Sequence, residues 1–197
     1  RIPPRAAAAG RSAAASQPAP TVERAATIDD VPSEPWNACF AGRGAFDAAA
    51  QRFAERLLVR DDGDPNASVF RYYRVVDAGG RTLAAAPFSC FRWKVDMDAP
   101  DAVSRVVEER RAADPDYLTA RAFAMGSLLS EGEHLYLDRS SSRDWRPALA
   151  ALLEAARRDA RALRADTIVL RDLPADDDAL DAFLVGEGFV AREGPPA

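Results

Sequence analysis

The chain has 197 residues and a net charge of −5, from 26 basic and 31 acidic residues, with one His and two Cys. That length holds one domain with a tail, and 48% hydrophobic residues exclude a wholly disordered chain. No apolar run nears the roughly 18–20 residues of a membrane-spanning helix, and Cys39 and Cys90 are too few for a disulfide framework or a zinc site.

Composition is skewed: there are 42 Ala, and Lys94 is the only Lys among the basic residues. A GC-rich genome produces this bias without selection for function. Residues 1–22 hold Arg1, Arg5 and Arg11, eight Ala, four Pro and no acid, with neither a 3.6 nor a 2.0 period. Two readings fit them, a disordered linker or the end of a transit peptide. Past residue 24 the body carries −8, which argues against a general nucleic-acid surface, because phosphate binding needs clustered positive charge. The expected compartment is the cytoplasm, or a plastid or mitochondrion if the N-terminal segment is a transit peptide.

Thr21–Ile28 is predicted as a first strand, and Asp29, Asp30 and Pro32 as a turn. Phe46, Ala49, Ala50, Phe53, Ala54, Leu57 and Leu58 share one helical face. Asp61–Asn66 stops that helix. Ser68–Val76 and Arg81–Trp93 form a hairpin about Asp77–Gly80, and Pro87 places itself at an edge or a bulge. Ala102–Ala112 is a polar helix with a Val103, Val106, Val107 stripe. Tyr117–Met125 and His134–Leu137 are strands joined by the loop Gly126–Gly132. The longest helix has the stripe Leu149, Leu152, Leu153, Ala156, Ala160 and Leu163, with arginines in its last turns, as the helix dipole favours. Asp166–Asp172 is a buried strand, Ala179–Leu184 a short helix, and Phe189–Ala191 a last strand. The order predicts an α/β domain over residues 23–197, a mixed sheet flanked by helices.

Several chemistries drop out. There is no nucleophile-elbow sequence, no metal-ligand spacing, and no Walker or dinucleotide-binding glycine loop. Asp176, Asp177 and Asp178 open a helix, where carboxylates cap. His134, the single histidine, suits either a structural or a catalytic place. With Glu131 and Glu133 it forms a candidate acid/base group, and a solvated loop is the alternative. Asp172 can orient an acceptor amine or cap the next helix, and Arg171 is expected to alternate to the other face.

Several pieces resemble the GNAT acyltransferase superfamily, most closely its FemAB/CelD-like branch: Ile28–Trp36, Asp77–Pro87, Ala124–Ser127, the helix Leu149–Leu163, Val169–Pro174 and Phe183–Val190. The resemblance implies an N-acyltransferase using acetyl-CoA or another acyl-CoA, with a small-molecule or peptide amine as acceptor and neither DNA nor membrane as partner. Oligomeric state is not implied. Catalytic positions would be Glu131, Glu133 and His134, and acceptor positions Gly126, Ser127 and Asp172. The pyrophosphate would meet Arg139, Ser140, Ser141, Ser142 and Arg143, at a helix N-terminus that offers free N–H donors. No metal is implied.

Two departures stand out. Ser142 and Asp144 occupy the places of the family's loop glycines, Asp144 being an expected N-cap, and Phe183 is nearest to the family's catalytic Tyr. A non-catalytic GNAT-like module of a longer protein, or an aminoacyl-tRNA-dependent FemAB-type transferase, is therefore the alternative. A start at Arg1 and an end at Ala197, before the second strand of a closing hairpin, also suggest a fragment, incomplete at the C-terminus.

Overall fold

The computed structural model describes residues 19–59, 64, 66–97, 99–140 and 144–192. The strands are β1 (Thr21–Ala25), β2 (Val69–Val76), β3 (Thr82–Lys94), β4 (Thr119–Met125), β5 (Tyr136–Leu137) and β6 (Thr167–Val169). The helices are α1 (Ser33–Phe40), α2 (Ala48–Leu58), α3 (Asp101–Arg111), α4 (Arg146–Ala162) and α5 (Asp178–Gly186). The sheet runs β1-β2-β3-β4-β6; only the β4–β6 pair is parallel, and β5 joins the edge of β3. The fold is thus mixed α/β, a six-stranded sheet with helices on both faces, as the sequence predicts.

Alternation along β2 and β3 supplies both faces. Tyr73, Val75, Ala84, Ala86, Phe88 and Cys90 turn towards α4 and α5. Phe70, Tyr72 and Ala85 turn towards α1 and α2. Ala84, Ala85 and Ala86 are fully buried. Small side chains there let helices approach the middle of the sheet from either side, so in this stretch the Ala excess has a packing role.

β3 is the organising strand because two partners share one of its edges. Phe88 to Lys94 pair with β4, Ala84 and Ala85 with β5, and between these registers residues 126–135 leave the ladder. Pro87, which has no N–H to give, lies at that interruption, and its carbonyl accepts from Gly126 N at 2.8 Å. Pro87 is therefore not at a bulge: it pairs in register with Tyr72 of β2 and faces the gap between β4 and β5 on the other edge of β3.

Other expectations are corrected. Ser33–Phe40 is a helix, whose Trp36, Cys39 and Phe40 are buried at i, i+3, i+4 spacing. α2 buries Ala48, Gln51 and Ala54 and leaves Phe53 and Leu57 exposed, so the predicted stripe is split. Of the α3 valines only Val107 is buried. β6 is three residues long. Phe189–Ala191 is not a strand; Phe189 N closes α5 by donating to Leu184 O, and its ring lies under the Arg157 guanidinium. The expectations for residues 1–18, 61–63, 65 and 193–197 lie outside the described residues.

One carboxylate ties the long helix to the sheet. Asp159, on the buried face of α4, accepts from Arg24 Nε and Nη2 (2.6 and 2.7 Å) and from the Tyr73 hydroxyl (2.5 Å), with Arg71 3.7 Å away. Burial pushes its carboxyl pKa up, but the bonds from Arg24 and Tyr73 outweigh this and hold it below the ordinary value. A depressed carboxyl contributes stability above the unfolded-state pKa and loses it as pH falls through the folded value. Asp159→Ala strands Arg71 and the Tyr73 hydroxyl, and is expected to cost about 3–5 kcal/mol by urea unfolding at pH 7, with a smaller difference from the parent below pH 4. A loss under 1 kcal/mol at pH 7 would show that α4 docks on its apolar stripe alone.

Candidate functional site

The segment that leaves the ladder is fastened at three places. At its start Ser89 Oγ donates to Gly126 O at 2.7 Å. In its middle Gly132 bridges Gly44, and Glu133 N donates to Arg43 O at 3.1 Å. At its far side the Arg171 guanidinium, from beyond β6, donates to Ser130 O.

His134 is the centre. Its side chain is completely buried, its ring lies 4.6 Å from that of Phe46, and it stacks over Gly126. A Cβ on Gly126 would come 2.1 Å from His134 Cδ2, and Gly126 has φ +80°. Only glycine fits on both counts. His134 Nε2 lies 3.0 Å from Ser130 Oγ and 3.5 Å from Arg171 Nη2. His134 Nδ1 lies 3.3 Å from Asp172 Oδ2, without hydrogen-bond alignment. Ser130 Oγ also accepts from Ser127 N at 2.7 Å, and Ser127 Oγ accepts from Leu129 N at 3.2 Å, so residues 127–130 form a tight turn.

Of the candidates from sequence, Gly126, Ser127, His134 and Asp172 are brought together. Glu133 points elsewhere and pairs with Arg43, and Glu131 is exposed. Ser130 and Arg171 are the members that sequence reasoning missed. Arg171 was expected on the opposite face from Asp172, yet the two side chains are 3.3 Å apart. Strand alternation ends with β6 at Val169, and Asp172 adopts φ +54°, which turns both side chains towards His134. Asp172 keeps 44% of its side chain exposed, so the cluster has one carboxylate in water and one imidazole out of it.

The parallel β4–β6 pairing covers only Ala122–Ala124 with Thr167–Val169. β6 is paired with β4 along its whole length, β4 ends one residue further on at Met125, and the His134 cluster stands just beyond the C-terminal ends of this parallel pair.

The helix that would receive a pyrophosphate is α4. Asp144 Oδ1 accepts from Arg146 N at 3.1 Å and occupies the helix N-terminus, although Trp145, not Asp144, is the cap residue. Arg139 pairs with Asp177 and lies 4.2 Å over the Trp145 ring; Ser140 Oγ accepts from Arg81 at 3.0 Å. Ser141, Ser142 and Arg143 lie outside the described residues. A cavity of about 650 Å³ opens beside this end, and Asp77, Asp138 and Asp144 are among its lining. Arg139, Arg81 and Arg146 at this end are each already paired with a carboxylate, Asp177, Asp138 and Asp144 respectively, and Asp144 sets a like charge against a pyrophosphate there.

No known family profile matches the sequence, and no curated protein does. Solved structures similar to it include a single-residue mutant of the BH1408 protein from Bacillus halodurans (12% identity, 90% of this chain, 97% of that one, TM-score 0.47). A tetramutant of the same protein gives 13% identity over 90% and 97%, with a TM-score of 0.49. The ribosomal-protein-alanine N-acetyltransferase from Brucella melitensis biovar Abortus 2308 gives 15% identity over 90% and 97%, with a TM-score of 0.42. No described helix is long and apolar enough to cross a membrane.

Burial first, and the Arg171 guanidinium second, push the His134 pKa down to about 4 against the pull of Asp172. An unfolded-state imidazole protonates near 6.5. Between those values the unfolded chain binds more protons, so this group makes stability fall as pH drops from about 6.5 to about 4. Being the only histidine, His134 gives one imidazole set in the NMR spectrum, expected to titrate near pH 4. A midpoint near 6.5 would place it in water. Gly126→Ala forces His134 off its seat and is expected to cost at least about 2 kcal/mol in urea unfolding; a neutral effect would refute the close approach.

Proposed function

We propose that the chain is a GNAT-type N-acyltransferase, moving an acyl group from an activated donor to an amine. The observation that carries this reading is the His134 cluster, which lies just beyond the C-terminal ends of the short parallel β4–β6 pair. In open sheets with parallel strands, ligands bind outside the carboxyl ends of the strands. The GNAT resemblance of the sequence supports the same site; its FemAB/CelD-like branch rests on those sequence pieces only. The charge of −8 on the body favours a small donor over an aminoacyl-tRNA.

In this scheme Asp172, held by Arg171 and His134 and half in water, receives the acceptor's ammonium group. His134, neutral at pH 7, is the proton acceptor beside it. Acyl-CoA is the donor implied by the resemblance, with Asp144 set as a like charge against its pyrophosphate at the α4 N-terminus, and no step here depends on it.

A second reading, a non-catalytic GNAT-like module, is favoured by one observation: Asp144 already fills the α4 N-terminus. Thermal unfolding with acetyl-CoA separates the two. The transferase reading expects a rise in Tm at millimolar acetyl-CoA, and several-fold tighter binding in Asp144→Ala, about 1 kcal/mol from removing a like charge at the helix end. No shift in either protein would leave the module.

A further inference from the structure

The order of atoms around His134 carries a more specific chemistry than acid/base help. An oxygen acid, Ser130 Oγ, lies 3.0 Å from one ring nitrogen, and a carboxylate, Asp172, lies 3.3 Å from the other. Nucleophile, base and orienting acid in that sequence are the arrangement that makes a serine reactive, and apo geometries of such sites are often long or misaligned. The three residues come from the segments that follow the two parallel strands: Ser130 and His134 from between β4 and β5, Asp172 from beyond β6. Gly126 exists as glycine so that the imidazole can take this place. Ser130 is 7% exposed, at the base of a turn whose Leu128 and Leu129 are open to solvent.

We propose that Ser130 is a nucleophile and that acyl groups pass through an ester on its Oγ. As Oγ bonds to the donor's carbonyl carbon, the Ser130 proton moves to His134 Nε2. The carbonyl π pair goes to its oxygen, where the Arg171 guanidinium, 3.5 Å from Nε2, is the neighbouring cation. When the carbonyl re-forms, the donor's leaving group departs and takes the proton from Nε2. The acceptor amine then attacks the ester, gives a proton to Nε2, and Ser130 leaves as alkoxide and recovers that proton. Asp172, which receives the acceptor, also stands 3.3 Å from Nδ1 and biases the ring's orientation from that side. This deepens the acyl-transfer reading but needs no coenzyme A, so it is tested with a donor that has none.

The probe is p-nitrophenyl acetate on the full chain. The expected result is a burst of one p-nitrophenolate per chain, a 42 Da mass gain mapped to Ser130 by tandem mass spectrometry, and loss of at least roughly tenfold of the burst in Ser130→Ala. Asp172→Asn is expected to slow acylation by roughly tenfold or more and to change its pH profile. No burst, an adduct mapped to another residue, or an undiminished burst in a Ser130→Ala protein with parental Tm overturns the proposal. If Ser130→Ala fails to fold, the adduct map of the parent decides alone. Acylation of Ser130 without an acetyl-CoA shift would uphold the nucleophile and reject coenzyme A as donor; an acetyl-CoA shift without acylation would do the reverse.

Discussion

The rest of the molecule depends on β3 being long enough to hold two strands on one edge. Because β4 takes the far half and β5 the near half, the chain between them is free to leave the ladder while both its ends stay in register. Pro87 makes the interruption cheap, since the position that lacks a strand partner on the β4/β5 edge is also the one that lacks a donor. From that one break follow the seat for His134 and the turn at residues 127–130.

Two buried polar groups are handled in different ways. Asp159 remains charged among Arg24, Arg71 and Tyr73, and so fixes α4 against β1 and β2. His134 is instead kept neutral, with the charges of Arg171 and Asp172 arranged outside its ring. The first solution suits a permanent joint. The second leaves a nitrogen lone pair unprotonated at physiological pH, which is the condition for proton transfer.

Most of the fold was legible because the strands and α4 follow simple periods. What was missed has local causes. α1 hides its helix behind Pro32 and Pro35, although Ser33 and Glu34 in the first turn and Trp36, Cys39 and Phe40 behind them carry the signal. α2 has two apolar stripes side by side, and no single-helix pattern says which one meets the sheet. Part of the site was readable, because Gly126, Ser127, His134 and Asp172 are the residue types that such a cluster needs. Arg171 was not, because alternation assumes an extended chain and Asp172 has a positive φ. Ser130 drew no notice because its partner is set by a turn rather than by a motif.

The fastening of residues 126–135 has a bearing on how such a protein can diversify. Its ends are held by β3, by Gly44 and by Arg171, while Leu128 and Leu129 at the tip are exposed. Length or side-chain changes at the tip are absorbed outside the ladder, where lengthening a loop costs little. The tip can therefore change while the sheet keeps its register, as though the segment were an exchangeable cassette clipped into a fixed frame.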